Sequence, residues 1–167
     1  MPEMTPKQQF LDAYGREHAT TMRVLRAFPE DKLELQPHPK SKTARDLAWV
    51  FALEKGLGTL VMHDGLAKGV AGAMPPAPQS WGDLLAATEK AHSDFGALIE
   101  SFPDAQLEET VKFLGGPGLM ADYRRIDFLW FLLSDEIHHR GQFSVYLRMA
   151  DGKVPSIYGP TADEPWM

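Results

Sequence analysis

Apolar side chains recur every three or four residues along four separate stretches of this chain, and no stretch keeps an alternation of two over several residues. Those spacings call for helices, so an all-α fold is expected. The first stretch opens at Thr5-Pro6-Lys7-Gln8. Thr5 can cap it, Pro6 suits the first helical position, and Gln8 completes a capping box. Phe10, Tyr14, Met22 and Leu25 then share one face, and the run ends at Phe28 before Pro29. The second stretch starts at Thr43, with Asp46 three residues on, and carries Leu47, Val50, Phe51, Leu57 and Val61 as far as Asp64-Gly65. The third starts at Ser80, with Asp83 in the same relation, and buries Leu84, Leu85, Phe95, Leu98 and Ile99 before Phe102-Pro103. The fourth covers residues 121–149 and stops ahead of Asp151-Gly152.

The connections are unequal. Residues 65–79 are rich in Gly, Ala and Pro and are too many for a tight turn between antiparallel helices. A linker of that length can cross the end of a bundle, which predicts a four-helix bundle with a long crossover between helices two and three. Residues 104–120 read as irregular, with Gly115-Gly116-Pro117-Gly118 as a breaker, and residues 153–167, with prolines at 155, 160 and 165, read as an extended tail. A chain of 167 residues suits one domain spanning residues 1–167.

Composition removes several functions. With no cysteine there is no disulfide, no thiolate nucleophile and no cysteine-bound zinc, which fits a reducing, cytoplasmic setting. A net charge of −6 without a basic block argues against a nucleic-acid partner. No apolar run nears the roughly 20 residues that span a bilayer, so no membrane role is expected. There is no nucleophile elbow and no phosphate-cradling loop.

The fourth helix is apolar almost all the way round over residues 126–133, through Ile126, Phe128, Leu129, Trp130, Leu132 and Leu133. Such a segment needs cover on every side. One face meets the bundle core, and the other requires a second cover. A homodimer partner is the expected one, with the C-terminal tail as the alternative.

Polar residues on otherwise apolar faces are the candidates for chemistry. At about 100° per residue, Glu54 falls within the arc of Leu47, Val50, Leu57 and Val61, and His18 falls within that of Tyr14, Met22 and Leu25. On helix four, Asp135 and His139 lie one turn apart on the face of Phe128, Leu132, Phe143 and Tyr146. Residues four apart can share a metal ion, and facing helices commonly build such sites in bundle cores. Each residue also has a plainer reading. His18 suits a hydrogen-bonded core histidine, Glu54 a buried ion pair with Arg140, and Asp135 a single hydrogen bond. His138 points about 100° away from His139 and cannot join it. His38, His63 and His92 are assigned no role.

His138-His139-Arg140-Gly141-Gln142, followed by Tyr146-Leu147-Arg148, Gly152, Val154-Pro155 and Tyr158-Gly159, resembles the DinB-like family of metalloenzymes. Pro37-His38-Pro39-Lys40-Ser41, leading into Asp46-Leu47-Ala48-Trp49, looks like that family's approach to its second helix. The resemblance spans nearly the whole chain. It implies the same four-helix bundle with a crossover, frequent dimers, and a site of three histidines on a divalent metal. Carried onto this sequence, the three positions are Val50, Asp135 and His139. His139 matches, Asp135 is a changed but competent ligand, and Val50 cannot bind metal. Glu54, one turn after Val50, is the expected replacement, giving a Glu54–Asp135–His139 centre for Ni, Zn or Mn. The resemblance also implies a hydrolase or thiol-dependent transferase acting on a small molecule. The alternative is a non-catalytic dimeric bundle that binds a small molecule and has lost its metal.

Overall fold

The structure, a computed structural model, describes residues 3–69 and 74–167. The sequence starts helices where its caps stand. Helix α1 (Pro6–Arg26) opens on the full Thr5/Gln8 capping box with Pro6 in its first turn. In α2 (Ala44–Met62) the Thr43 side chain accepts from the Asp46 amide, and in α3 (Trp81–Ser101) Ser80 does the same from Asp83. A single turn, α4 (Asp104–Leu107), precedes two strands, β1 (Thr110–Gly116) and β2 (Leu119–Arg124), and the long helix α5 (Arg125–Met149) follows. Helix α1 packs on α3 and α5, and α2 packs on the same two, so the four long helices enclose one interior. The middle of the expected crossover, residues 70–73, lies outside the described residues.

Two expectations are corrected. The chain is mostly helical but not all-α, because residues expected to be irregular form an antiparallel hairpin in which Val111 faces Tyr123 and Phe113 faces Ala121. Its tip carries the Gly115–Gly118 breaker, where Gly118 takes a φ of 69° that a side chain would resist. Helix α5 accordingly begins at Arg125 rather than near residue 121. Leu57, placed on the buried stripe of α2, is 37% exposed.

The hairpin covers part of the apolar stretch of α5. Phe113 packs on Phe128 and Phe131, at centroid distances of 5.0 and 5.6 Å. Trp130 meets the edge of Phe10 at 5.3 Å but stays 40% exposed, and Phe131 stays 45% exposed. The tail covers the other half of α5: Val154 joins Phe143 and Leu147 in the core. The Tyr158 hydroxyl donates to Glu17 Oε2 at 2.7 Å and meets the Arg140 guanidinium.

Two apolar clusters fill the interior. One gathers Met22, Leu25, Phe28, Phe51, Leu84 and Phe143; the other gathers Phe10, Tyr14, Met62, Phe95, Phe128 and Leu129. Each buried side chain of this size contributes roughly 1.5–3 kcal/mol. Along every long helix the buried polar residues Thr21, Glu54, Lys55, Thr88, Glu136 and Arg140 fall between the two clusters, forming a polar layer across the middle. Gly58 flanks that layer. A Cβ there would lie 2.6 Å from the Phe95 ring and 2.8 Å from Leu132, so only glycine lets α2 approach so closely.

Candidate metal centre

Helices α2 and α5 cross the polar layer side by side and bring three of the expected residues together. Glu54, Asp135 and His139 each present a ligand-type atom, and these atoms lie within 4.8 Å of one another. His139 Nδ1 donates to Glu54 Oε1 at 2.6 Å and stands 3.8 Å from Asp135 Oδ2. Glu54 is buried, while Asp135 and His139 are partly open to solvent. Glu54 Oε2 is buried and has no hydrogen-bond partner among the described residues. Burial pushes the Glu54 carboxyl above the usual carboxylate range, despite the hydrogen bond from His139. That same bond to Glu54 raises the His139 imidazole above its ordinary value.

His139 lines a groove of about 430 Å³. Ser41, Lys42 and Gln142 give it polar edges, and Leu47, Val145 and Tyr146 give it an apolar wall. Both ends of the Pro37–Ser41 stretch singled out in the sequence therefore line the groove with His139, and the next residue is anchored where Tyr146 Oη donates to the Lys42 carbonyl at 3.0 Å.

Other assignments resolve differently. Glu54 does not pair with Arg140: the guanidinium takes Glu17 Oε2 at 2.7 Å instead. His18 stays outside the cluster and stacks on His92, rings 3.6 Å apart and nearly parallel, with Tyr14 on the other face of His92 at 4.0 Å. Burial, followed by the neighbouring His18, lowers His92 to about 3. His138 is exposed and meets Gln142 at 2.8 Å. Val50, one turn before Glu54, is partly buried and offers no donor.

Two residues were missed altogether. Lys55 Nζ lies 2.5 Å from Glu136 Oε2, and Thr21 Oγ1 donates to Glu136 Oε1 at 2.9 Å. Burial, the largest single influence, would raise Glu136, but the Lys55 charge and hydrogen bond, the Thr21 hydrogen bond and His18 together hold the carboxyl below its ordinary value. A spacing signal existed. Leu129, Leu133, Glu136, Arg140, Phe143 and Leu147 run at intervals of four and three, as do Ala44, Ala48, Phe51, Lys55, Gly58 and Met62. All twelve are buried.

The chain belongs to the DinB superfamily, whose profile matches residues 13–143. It is similar to the uncharacterized protein YrdA of Bacillus subtilis (strain 168), 26% identical over 156 residues, covering 93% of this chain and 89% of the relative. Among solved structures it resembles a DinB-like protein from Bacillus cereus ATCC 10987, with a TM-score of 0.71 and 25% identity over 89% of this chain and 95% of that one. A DinB-like protein (YjoA) from Bacillus subtilis shares the fold at a TM-score of 0.69 and 16% identity, over 89% of this chain and 97% of that one. No helix among the described residues is long and apolar enough to cross a membrane.

Proposed function

We propose that this DinB superfamily member is a divalent-metal-dependent enzyme of the hydrolase or thiol-dependent transferase class, with Glu54, Asp135 and His139 as its metal ligands. The carrying observation is the buried Glu54 carboxylate. It keeps one oxygen unpartnered, beside a second carboxylate and an imidazole, and that imidazole, His139, lines a groove. Leaving such an oxygen unpaired is costly, and a cation offsets that cost. The donor set therefore fits a metal ion despite Val50. Two carboxylates with one imidazole favour a harder ion, so Mn suits the centre better than Zn or Ni. A bound ion would supply Lewis-acid activation of a small substrate or of a water or thiol. The protein's own part is to hold Asp135 and His139 at the solvent edge and Glu54 below them. The apolar wall of Leu47, Val145 and Tyr146 would seat the body of the substrate.

The alternative, a small-molecule-binding bundle that has lost its metal, draws on Val50 and on the 2.6 Å bond that already engages His139 with Glu54. Calorimetric titration of untagged protein with Mn²⁺ or Zn²⁺ separates the two. One ion per chain is expected. Affinity should rise with pH, since the ion must displace the proton that Glu54 helps His139 to keep. Val50→His should strengthen Zn²⁺ or Ni²⁺ binding by adding a second imidazole. No uptake by the parent and none by Val50→His would leave the metal reading without support.

The four long helices are read as the family's four-helix bundle with the hairpin added. A homodimer through the exposed faces of Trp130 and Phe131 belongs to the same proposal. Sedimentation should then give a mass near twice 18.6 kDa, and a monomer at micromolar concentration would rule it out.

A further inference from the structure

Lys55 stands between two buried carboxylates and engages only one of them closely. Its Nζ is 2.5 Å from Glu136 Oε2 but 3.9 Å from Glu54 Oε2. Glu136, on α5, is fixed by Thr21 of α1, whose hydroxyl donates to Oε1. None of Glu54, Lys55 and Glu136 is more than 5% exposed, so water does not screen them. The oxygen that faces Lys55 at the longer distance, Glu54 Oε2, is the one without a hydrogen-bond partner.

We propose that Glu136 is a positioning residue for the Glu54–Asp135–His139 centre: it draws the Lys55 ammonium away from Glu54, so that Glu54 keeps an oxygen free for a divalent cation. This rests on the metal reading above and adds to it a means by which the chain sets its own affinity. The charges explain why two residues are needed. Lys55 and Glu136 cancel, so an incoming cation meets the full negative charge of Glu54 and Asp135. Without the Glu136 charge, the ammonium has one carboxylate left within reach, and that carboxylate is the ligand. Lys55 would then compete with the metal for Glu54 and also repel it. The contacts from Asp135 through His139, Glu54 and Lys55 to Glu136 alternate acidic and basic side chains.

Calorimetric titration with Mn²⁺ tests this on three proteins: the parent, Glu136→Gln and the double variant Lys55→Met/Glu136→Gln. Glu136→Gln should bind about 10–100-fold more weakly, the usual loss when an outer partner of a metal ligand is removed. The double variant, which also removes the competing ammonium, should recover most of that loss. A role in packing alone predicts the reverse, with the double variant at least as weak as the single one, and that result overturns the proposal. So does Glu136→Gln binding as tightly as the parent. If Glu136→Gln does not fold, Glu136→Asp carries the same test. Its shorter side chain withdraws from the ammonium, so weaker binding is expected and unchanged binding overturns the proposal. A metal-free crystal structure of Glu136→Gln, or of Glu136→Asp in its place, reads the ammonium directly. Lys55 Nζ should move into contact with Glu54 Oε2, and an ammonium that stays away from Glu54 refutes the positioning role. If the parent takes up no Mn²⁺ while the ammonium does move, the metal reading fails and the positioning of Lys55 stands.

Discussion

The polar layer has two sides, and they treat histidine in opposite ways. Between α1 and α3, His18 and His92 lie face to face, with Tyr14 closing the stack. Burial lowers both imidazoles below their ordinary value, which favours their neutral form, and leaves His92 Nδ1 without a hydrogen-bond partner among the described residues but also without a charge. Between α2 and α5, His139 is raised by its hydrogen bond to Glu54, while Glu54 is raised by burial and keeps an unpartnered oxygen. The first side has removed its charge by packing. The second holds more negative charge than its imidazole can balance and opens onto a groove. A histidine inside a helical protein therefore says little by its position. What marks a site is the charge around it that the fold leaves uncompensated.

Glu54→Gln should break this contrast most strongly. Loss of a ligand should weaken metal binding by more than the roughly 10–100-fold that an outer partner costs. It should also stabilise the metal-free protein. Because the folded pKa of Glu54 is raised, its favourable contribution is present in acid, below the ordinary carboxylate value, and is lost as pH rises through the folded value. Above that folded value the ionised group is a burden. Its replacement should add about 1 kcal/mol in urea denaturation with chelator present, a gain typical of relieving a functional site. That gain should shrink toward pH 4. A net loss at pH 7 would make Glu54 a structural partner of His139 instead.

His92→Phe should have a smaller effect, on the other side of the layer. The folded pKa of about 3 lies below the ordinary 6.5, so the stability this histidine contributes is present above 6.5 and is lost as pH falls toward 3. Phenylalanine keeps the stack without the proton. The variant's melting temperature should fall less steeply than the parent's between pH 6.5 and 5. Parallel slopes would mean that the stack does not resist protonation.

The sequence was most legible where structure is local. Thr5, Thr43 and Ser80 start their helices as their caps require, and Pro29 and Pro103 follow the ends of α1 and α3. The hairpin was hidden because its alternation is short. Only Val111 and Phe113 of β1 are buried, β2 has no buried residue, and the exposed Leu114, Leu119 and Met120 blur the pattern. Its place is set by distant contacts: Phe113 against Phe128, and Asp64, at φ 57° just past α2, whose Oδ1 accepts from the Lys112 amide at 3.1 Å. The Glu54–Asp135–His139 cluster was legible from helical spacing together with the resemblance. Lys55 was not, because a stripe drawn through Leu57 turned the buried face of α2 away from it, and Glu136 was not, because the helix-four face was drawn through Asp135 and His139 beside it. Partner choice among buried charges is also three-dimensional: Arg140 takes Glu17 over Glu54 because α1 and the tail converge on it.

The contrast between the two sides of the layer turns on whether the carboxylates between α2 and α5 are a metal centre. Diffraction at the manganese edge from a crystal grown with Mn²⁺ tests it most directly. One anomalous peak per chain is expected, within bonding distance of Glu54, Asp135 and His139. Peaks confined to surface acids, with the 2.6 Å bond between His139 and Glu54 intact, would contradict it.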